Sequence, residues 1–157
     1  MSKRVLFICT GNVCRSPMAE GFFQHMATEL DGEEIEVASA GLGAIDGALP
    51  SDHSVIAMRE EGIDITGQRS CMLTPQMVED FTHIFGMGRS HIDAIRSYFP
   101  GTEEKTFVLR EFIADETVDL DVPDPIGMGL DEYRLTRNLI KEAMPSILRF
   151  VTTGDPS

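Results

Sequence analysis

The chain has 157 residues, 42% of them hydrophobic and 25% charged, which suits one globular domain with a single sizeable core. Its formal net charge of −13, from 26 acidic against 13 basic residues, repels polyanions and argues against nucleic acid as a partner. Its three cysteines, an odd number, argue against a disulfide framework and for thiols kept reduced. The first element in chain order is a strand over residues 4–9, RVLFIC. Its apolar run is too short for a signal-peptide core or a membrane helix, and no other segment comes close, so a cytoplasmic protein without a membrane partner is expected. A helix follows over 17–30, where Met18, Phe22, Met26 and Leu30 recur every fourth residue. Further strands are expected over 34–39, 82–87 and 105–109, with helices over 51–61 and 89–98 between them. A last apolar stripe, from Leu139 to Val151, predicts a terminal helix that Pro145 should kink. The domain is expected to span 1–151, with a frayed tail over 152–157. Strands alternating with helices predict an α/β fold, a parallel sheet covered on both faces. Ligands of such folds sit at the carboxyl ends of strands, and the loop after the first strand is the natural place.

That loop reads CTGNVCRS, residues 9–16. Gly11 and Asn12 tolerate the positive φ angles of a tight loop. Ser16 is a good helix N-cap and Pro17 suits the first helical position, so the loop is expected to run into a helix N-terminus. The backbone N–H groups there, aided by the helix dipole, converge on an anion. Arg15 adds a planar fork that grips two oxygens of a tetrahedral oxyanion. Cys9 lies at the bottom of this cradle, where N–H dipoles, Arg15 and the Ser16 hydroxyl favour thiolate over thiol. A thiolate aimed at a bound phosphate is a nucleophile. Cys9 is therefore the expected nucleophile and Arg15 the clamp. Thr10, Gly11, Asn12, Val13, Cys14 and Ser16 are expected to bind the substrate phosphate.

The leaving group needs a proton. Among 26 carboxylates Asp124 stands out, because the prolines on both sides of it in DVPDPIG (121–127) hold it on a stiff, extended loop. Beside a thiolate and a phosphate its carboxyl can hold a proton long enough to act as the acid. Asp121 is the close competitor. Cys14 has two open readings: a resolving thiol that traps an oxidised Cys9 as a disulfide, or a small apolar side chain under the loop. Cys71 reads as a half-buried filler. His25, His53, His83 and His91 show no ligand spacing with the cysteines, so neither a metal nor a cofactor is expected.

VLFICTGNVCRSPMAEG, together with the late PDP, resembles the low-molecular-weight protein tyrosine phosphatases. The likeness covers nearly the whole chain, since ASAGLGAIDG (38–47), GIDITGQRSCMLTP (62–75), GMGRSHIDAI (86–95) and the final helix fall in family order. It implies a three-layer domain, a four-stranded parallel sheet with helices on both sides and a phosphate-binding loop after the first strand. It implies Cys9 as nucleophile, Arg15 as clamp, Ser16 as thiolate stabiliser and Asp124 as general acid then base, with Asn12 holding the loop in a strained shape. The substrate is then a phosphorylated protein or a small phosphomonoester.

Departures from the family pattern bear on the substrate. Tyrosine-directed members usually follow the Asp-Pro pair with aromatics, where this chain has Ile126 and Gly127. A tryptophan is typical near residues 45–46, and this chain has none. Gln68 stands where a histidine that braces the loop asparagine is common. A sister group that removes phosphate from arginine resembles this chain in SAGLGAIDG, MGRSH and DPIGMGLDEY, yet it carries threonine where this chain has Val13. The expectation is a tyrosine phosphatase, with an arginine phosphatase close behind. Arsenate reductases share the loop but need further cysteines, and FGMGRSHID (85–93) has none. A phosphocysteine carrier has no use for Asp124, and a silent phosphoprotein-binding module has no use for Cys9, Arg15 and Asp124 together.

Overall fold

The computed structural model describes residues 2–30, 34–113 and 119–156. Strand β1 (Lys3–Cys9) is followed by helix α1 (Arg15–Ala27), β2 (Ile35–Gly41), α2 (Asp52–Arg59), α3 (Pro75–Asp80), β3 (His83–Gly86), α4 (Arg89–Tyr98), β4 (Thr106–Val108) and α5 (Leu130–Thr153). The four strands form one parallel sheet in the order β2-β1-β3-β4. All four expected strands are present, shifted by a residue or two at their ends.

The two-residue period of β1 sorts its side chains between two cores. Val5, Phe7 and Cys9 enter a cluster with Met18, Phe22 and Phe23 of α1, Met58 of α2, and Ile140, Met144 and Ile147 of α5. Leu6 and Ile8 enter the opposite cluster with Val78 of α3 and Ile92 and Ile95 of α4. Buried on both faces, the strand is apolar at successive positions. Strand order reverses beside β1, whose neighbours are β2 on one side and β3 on the other. The crevice at the carboxyl ends of β1 and β3 is therefore the ligand position that the topology provides.

Three local expectations are corrected. α1 begins at Arg15 with Cys14 as its cap residue, so Ser16 lies within the first turn and not at the cap. Its hydroxyl is engaged by the loop instead, and Pro17 costs nothing in a first turn whose N–H groups have no helical partner. α5 starts nine residues before the apolar stripe, because its first turns bury Tyr133, Thr136 and Arg137, polar side chains that leave no apolar periodicity. The helix continues past Pro145 to Thr153, two residues beyond the boundary expected at 151, and Gly154 caps it with φ 83°. Ser157, the last residue of the expected tail, lies outside the described residues. No described helix is long and apolar enough to cross a membrane.

Arg137 is buried against the end of α2, where it donates to the Ala57 carbonyl at 2.9 Å and to Glu60 at 2.7 Å. Arg134 also donates to Glu60, at 2.7 Å. Hydrogen bonds from these two guanidinium groups hold the Glu60 carboxyl down at about 2, from 4.5. A depressed carboxyl adds stability that is present above its unfolded value and lost as pH falls through the folded one. Glu60→Gln is therefore expected to melt below the parent at neutral pH. The difference between the two should close as pH falls from 4.5 towards about 2, read by thermal melts.

Candidate active site

β1 delivers Cys9 buried at its carboxyl end, and the chain turns through residues 10–14 before α1 begins. The turn depends on Asn12, the one described non-glycine residue at positive φ, 57°. Gly11 does not share that conformation. The Asn12 side chain is buried and fully engaged. Its Nδ2 donates to Ser16 Oγ at 2.8 Å and to Ser39 Oγ at 2.9 Å, and its Oδ1 accepts from the Cys71 N–H at 2.9 Å. Its own backbone N–H points at Cys9 Sγ, 3.3 Å away. Ser16 Oγ lies 3.0 Å from the same sulfur. A peptide N–H and a hydroxyl thus converge on the thiol, an arrangement that supports negative charge on sulfur.

Arg15 is buried at the start of α1. Its Nη1 donates to the Val122 carbonyl at 3.0 Å, and its Nη2 lies 3.5 Å from Asp124 Oδ2. Its Nε is buried with no hydrogen-bond partner among the described residues. A buried guanidinium donor left unpaired is costly unless an acceptor arrives, and a tetrahedral oxyanion in the loop supplies one. Asp124 is exposed, with Oδ1 accepting from the Ile126 N–H at 3.1 Å. Asp121, its competitor, is already committed: Oδ1 accepts from the Arg89 N–H at the start of α4, at 2.9 Å. The structure thus brings Cys9, Arg15, Ser16 and Asp124 together and sets Asp121 to a structural task.

Cys14 is buried, with its thiol 3.3 Å from the hydroxyl of Tyr133. Burial and that thiol push the Tyr133 hydroxyl up to about 12, from 10. Cys71 is half-buried, as expected of a filler, and burial raises its thiol. Its contribution to the loop is the backbone N–H, to which its residue type is irrelevant. Among the described residues no group of histidines, cysteines and carboxylates is placed to hold a metal ion.

A match to the family described as low molecular weight phosphotyrosine protein phosphatase covers residues 4–154. The chain belongs to that family of cysteine-based phosphatases. A protein-arginine-phosphatase of Geobacillus stearothermophilus is 38% identical over 138 residues, 88% of each chain. The low molecular weight protein-tyrosine-phosphatase YfkJ of Bacillus subtilis (strain 168) is 37% identical over 148 residues, 92% of each. A low molecular weight protein tyrosine phosphatase from T. tengcongensis has the same fold, with a TM-score of 0.86 at 36% identity, over 94% of this chain and 99% of that one.

Residues behind the phosphatase loop escaped sequence reasoning. Gln68 does not brace Asn12; its Nε2 donates to the Pro17 carbonyl at 3.1 Å. The brace is Ser39, whose hydroxyl accepts from Asn12 and donates to Glu20 at 2.7 Å. Burial raises the Glu20 carboxyl and the Ser39 bond opposes that rise. They lie in segments that the family likeness covers, but their task is not legible there, because Ser39 and Gly41 reach the loop only when β2 pairs with β1. Gly41 is the most confined of them: a Cβ there would stand 2.6 Å from the Thr10 carbonyl oxygen and 3.1 Å from the Asn12 Cβ. Gly41→Ala is expected to cost about 1–3 kcal/mol of stability by overpacking and to weaken inorganic phosphate binding as the loop is pushed out of shape. Denaturant melts and phosphate inhibition measure the two effects.

Proposed function

We propose that this phosphatase hydrolyses phosphotyrosine in proteins through a phosphocysteine intermediate on Cys9. The observation that carries the reading is the arrangement of Arg15. Its ends are tied to Val122 and Asp124 while its buried Nε has no partner among the described residues, at the end of the loop that directs two donors at the Cys9 sulfur. In the first step the Cys9 thiolate attacks phosphorus. The S–P bond forms, the P–O bond to the tyrosine ring breaks, and Asp124 gives its proton to the departing oxygen. In the second step the Asp124 carboxylate takes a proton from water as that water attacks phosphorus. The S–P bond then breaks, leaving inorganic phosphate and the thiolate. Throughout, Arg15 and the backbone of residues 10–16 hold the phosphoryl oxygens, and the Ser16 hydroxyl supports the charge on sulfur.

The preference for tyrosine rests on the mouth of the loop. The segments beside it carry exposed aliphatic side chains: Ile45 and Leu49 before α2, and Ile126 and Met128 after Asp124. The first of these segments is fastened to the loop by Gly43 N–H to the Thr10 carbonyl at 2.9 Å and Ser51 N–H to the Val13 carbonyl at 2.8 Å. An aryl ring is covered well by aliphatic groups, whereas the N–H groups of a guanidino leaving group need acceptors, and Val13 offers none. The second reading, arginine phosphatase, is favoured by the likeness to the arginine phosphatase relative and by the carboxylate of Asp124 at the mouth.

Cys9→Ser should abolish turnover and keep phosphate binding, measured by calorimetry. Asp124→Ala should lower kcat by about 10²-fold or more on alkyl-substituted phenyl phosphates and less on p-nitrophenyl phosphate, whose leaving group needs no proton. Side-by-side assays on phosphotyrosine and phosphoarginine peptides, with the parent and Val13→Thr, decide the substrate. Faster turnover of phosphotyrosine by the parent supports this reading, and faster turnover of phosphoarginine by the parent replaces it with the second.

A further inference from the structure

His91 is a buried titratable group at the mouth of the loop for which the mechanism above has no task. It lies in the first turn of α4, and each ring nitrogen has one partner. Nδ1 stands 3.1 Å from the Gly88 N–H, and Nε2 stands 3.1 Å from Thr10 Oγ1. The Gly88 N–H is only a donor, so Nδ1 must be the bare, accepting nitrogen. In the neutral ring the proton is then on Nε2, and the Thr10 hydroxyl is the acceptor of that N–H. Having accepted there, the hydroxyl has its single hydrogen left to give, and it makes no other hydrogen bond among the described residues. Thr10 is exposed and directly follows Cys9.

The surroundings keep the imidazole neutral. Burial and the positive charge of Arg15 on α1 hold His91 down at about 4, from 6.5, against the opposing pull of Asp121 and Asp124 from the segment that crosses above it. Protonation would also place a second donor against the Gly88 N–H. The orientation of the pair therefore persists over the pH range in which a cysteine phosphatase works.

We infer that His91 is a positioning residue that acts through Thr10: the Nε2–H tautomer commits the Thr10 hydroxyl as a donor to an oxygen of the phosphoryl group bound beside Cys9. This rests on the phosphatase reading of the loop and adds to it a task for the His91 ring and for the Thr10 hydroxyl. Such a donor adds to phosphate binding in ground state and transition state alike, so its loss is read in affinity for phosphate before it is read in kcat.

The test has two arms. In the free protein, two-bond proton–nitrogen correlation spectra of His91 should show the Nε2–H tautomer and no titration between about pH 5 and 8. An Nδ1–H tautomer, or titration near the ordinary histidine value, overturns the proposal. The second arm measures inhibition by inorganic phosphate. Thr10→Val keeps the shape and loses the hydroxyl. His91→Asn retains an acceptor for the Gly88 N–H but falls short of Thr10. Each should weaken phosphate inhibition by about threefold to tenfold, the worth of one hydrogen bond, and the double variant should be no weaker than either single one. His91→Gln, whose amide donor reaches Thr10, should recover most of what His91→Asn loses. Phosphate inhibition that is unmoved by Thr10→Val, or effects that simply add in the double variant, overturn this proposal alone. A parent that binds no inorganic phosphate overturns the site reading and this proposal with it.

Discussion

The left-handed backbone of Asn12 is the constraint on which the site depends. Holding a residue other than glycine at φ 57° costs on the order of 1 kcal/mol or more, and asparagine bears that cost better than most. Three side-chain hydrogen bonds offset it, to Ser16, to Ser39 and from the Cys71 N–H. They reach α1, β2 and the segment beyond α2, so the loop is held by three separate parts of the chain. The same bend turns the Asn12 N–H onto the Cys9 sulfur. Strain, support and chemistry are thus one piece of geometry.

From that bend outward, each layer orients the next. Glu20 accepts from Ser39, which leaves Ser39 to accept from Asn12. Asn12 donates to Ser16, whose hydroxyl stands against sulfur. On the other side, the Val122 N–H donates to the Met87 carbonyl, and the Val122 carbonyl receives Arg15. The segment that carries Asp124 is therefore tied to β3 and to the loop together. A protein with a net charge of −13 holds an anion this way because the positive field is made locally, by one buried guanidinium and a set of N–H groups.

The parts that were legible in the sequence share a property. Each is carried by residues close together in the chain. The strand from residue 4 to residue 9 shows as an apolar run because it is buried on both faces, and the C-x5-R spacing shows because one loop holds both groups. Asp124 shows because two prolines frame it. The parts that were not legible are made by residues far apart. Ser39, Gly41 and Cys71 come to the loop only through the pairing of β2 with β1 and the bridge from Gly41 to Met72. The beginning of α5 was hidden because it buries Tyr133, Thr136 and Arg137, polar residues of which Tyr133 meets Cys14 of the loop and Arg137 the Ala57 carbonyl of α2. Ser16 was misread as a cap because a serine before a proline suits that role, and tertiary contact gave its hydroxyl another.

The amino-acid sequence by itself determined the strand that ends in Cys9, the anion-binding loop with Arg15, the alternation that yields a parallel sheet, and membership of a phosphatase family. Local periodicity and short spacing suffice for the first three, and the likeness of whole segments to the family carries the fourth. The tertiary structure alone decided what each carboxylate faces: two prolines mark Asp124 in the sequence, but only the fold sets it against Arg15 and gives Asp121 the Arg89 N–H. It also decided what the other ring nitrogen of His91 meets: Nδ1 is taken locally by the Gly88 N–H, but Thr10 lies at the end of β1 and reaches Nε2 only when α4 packs against the sheet.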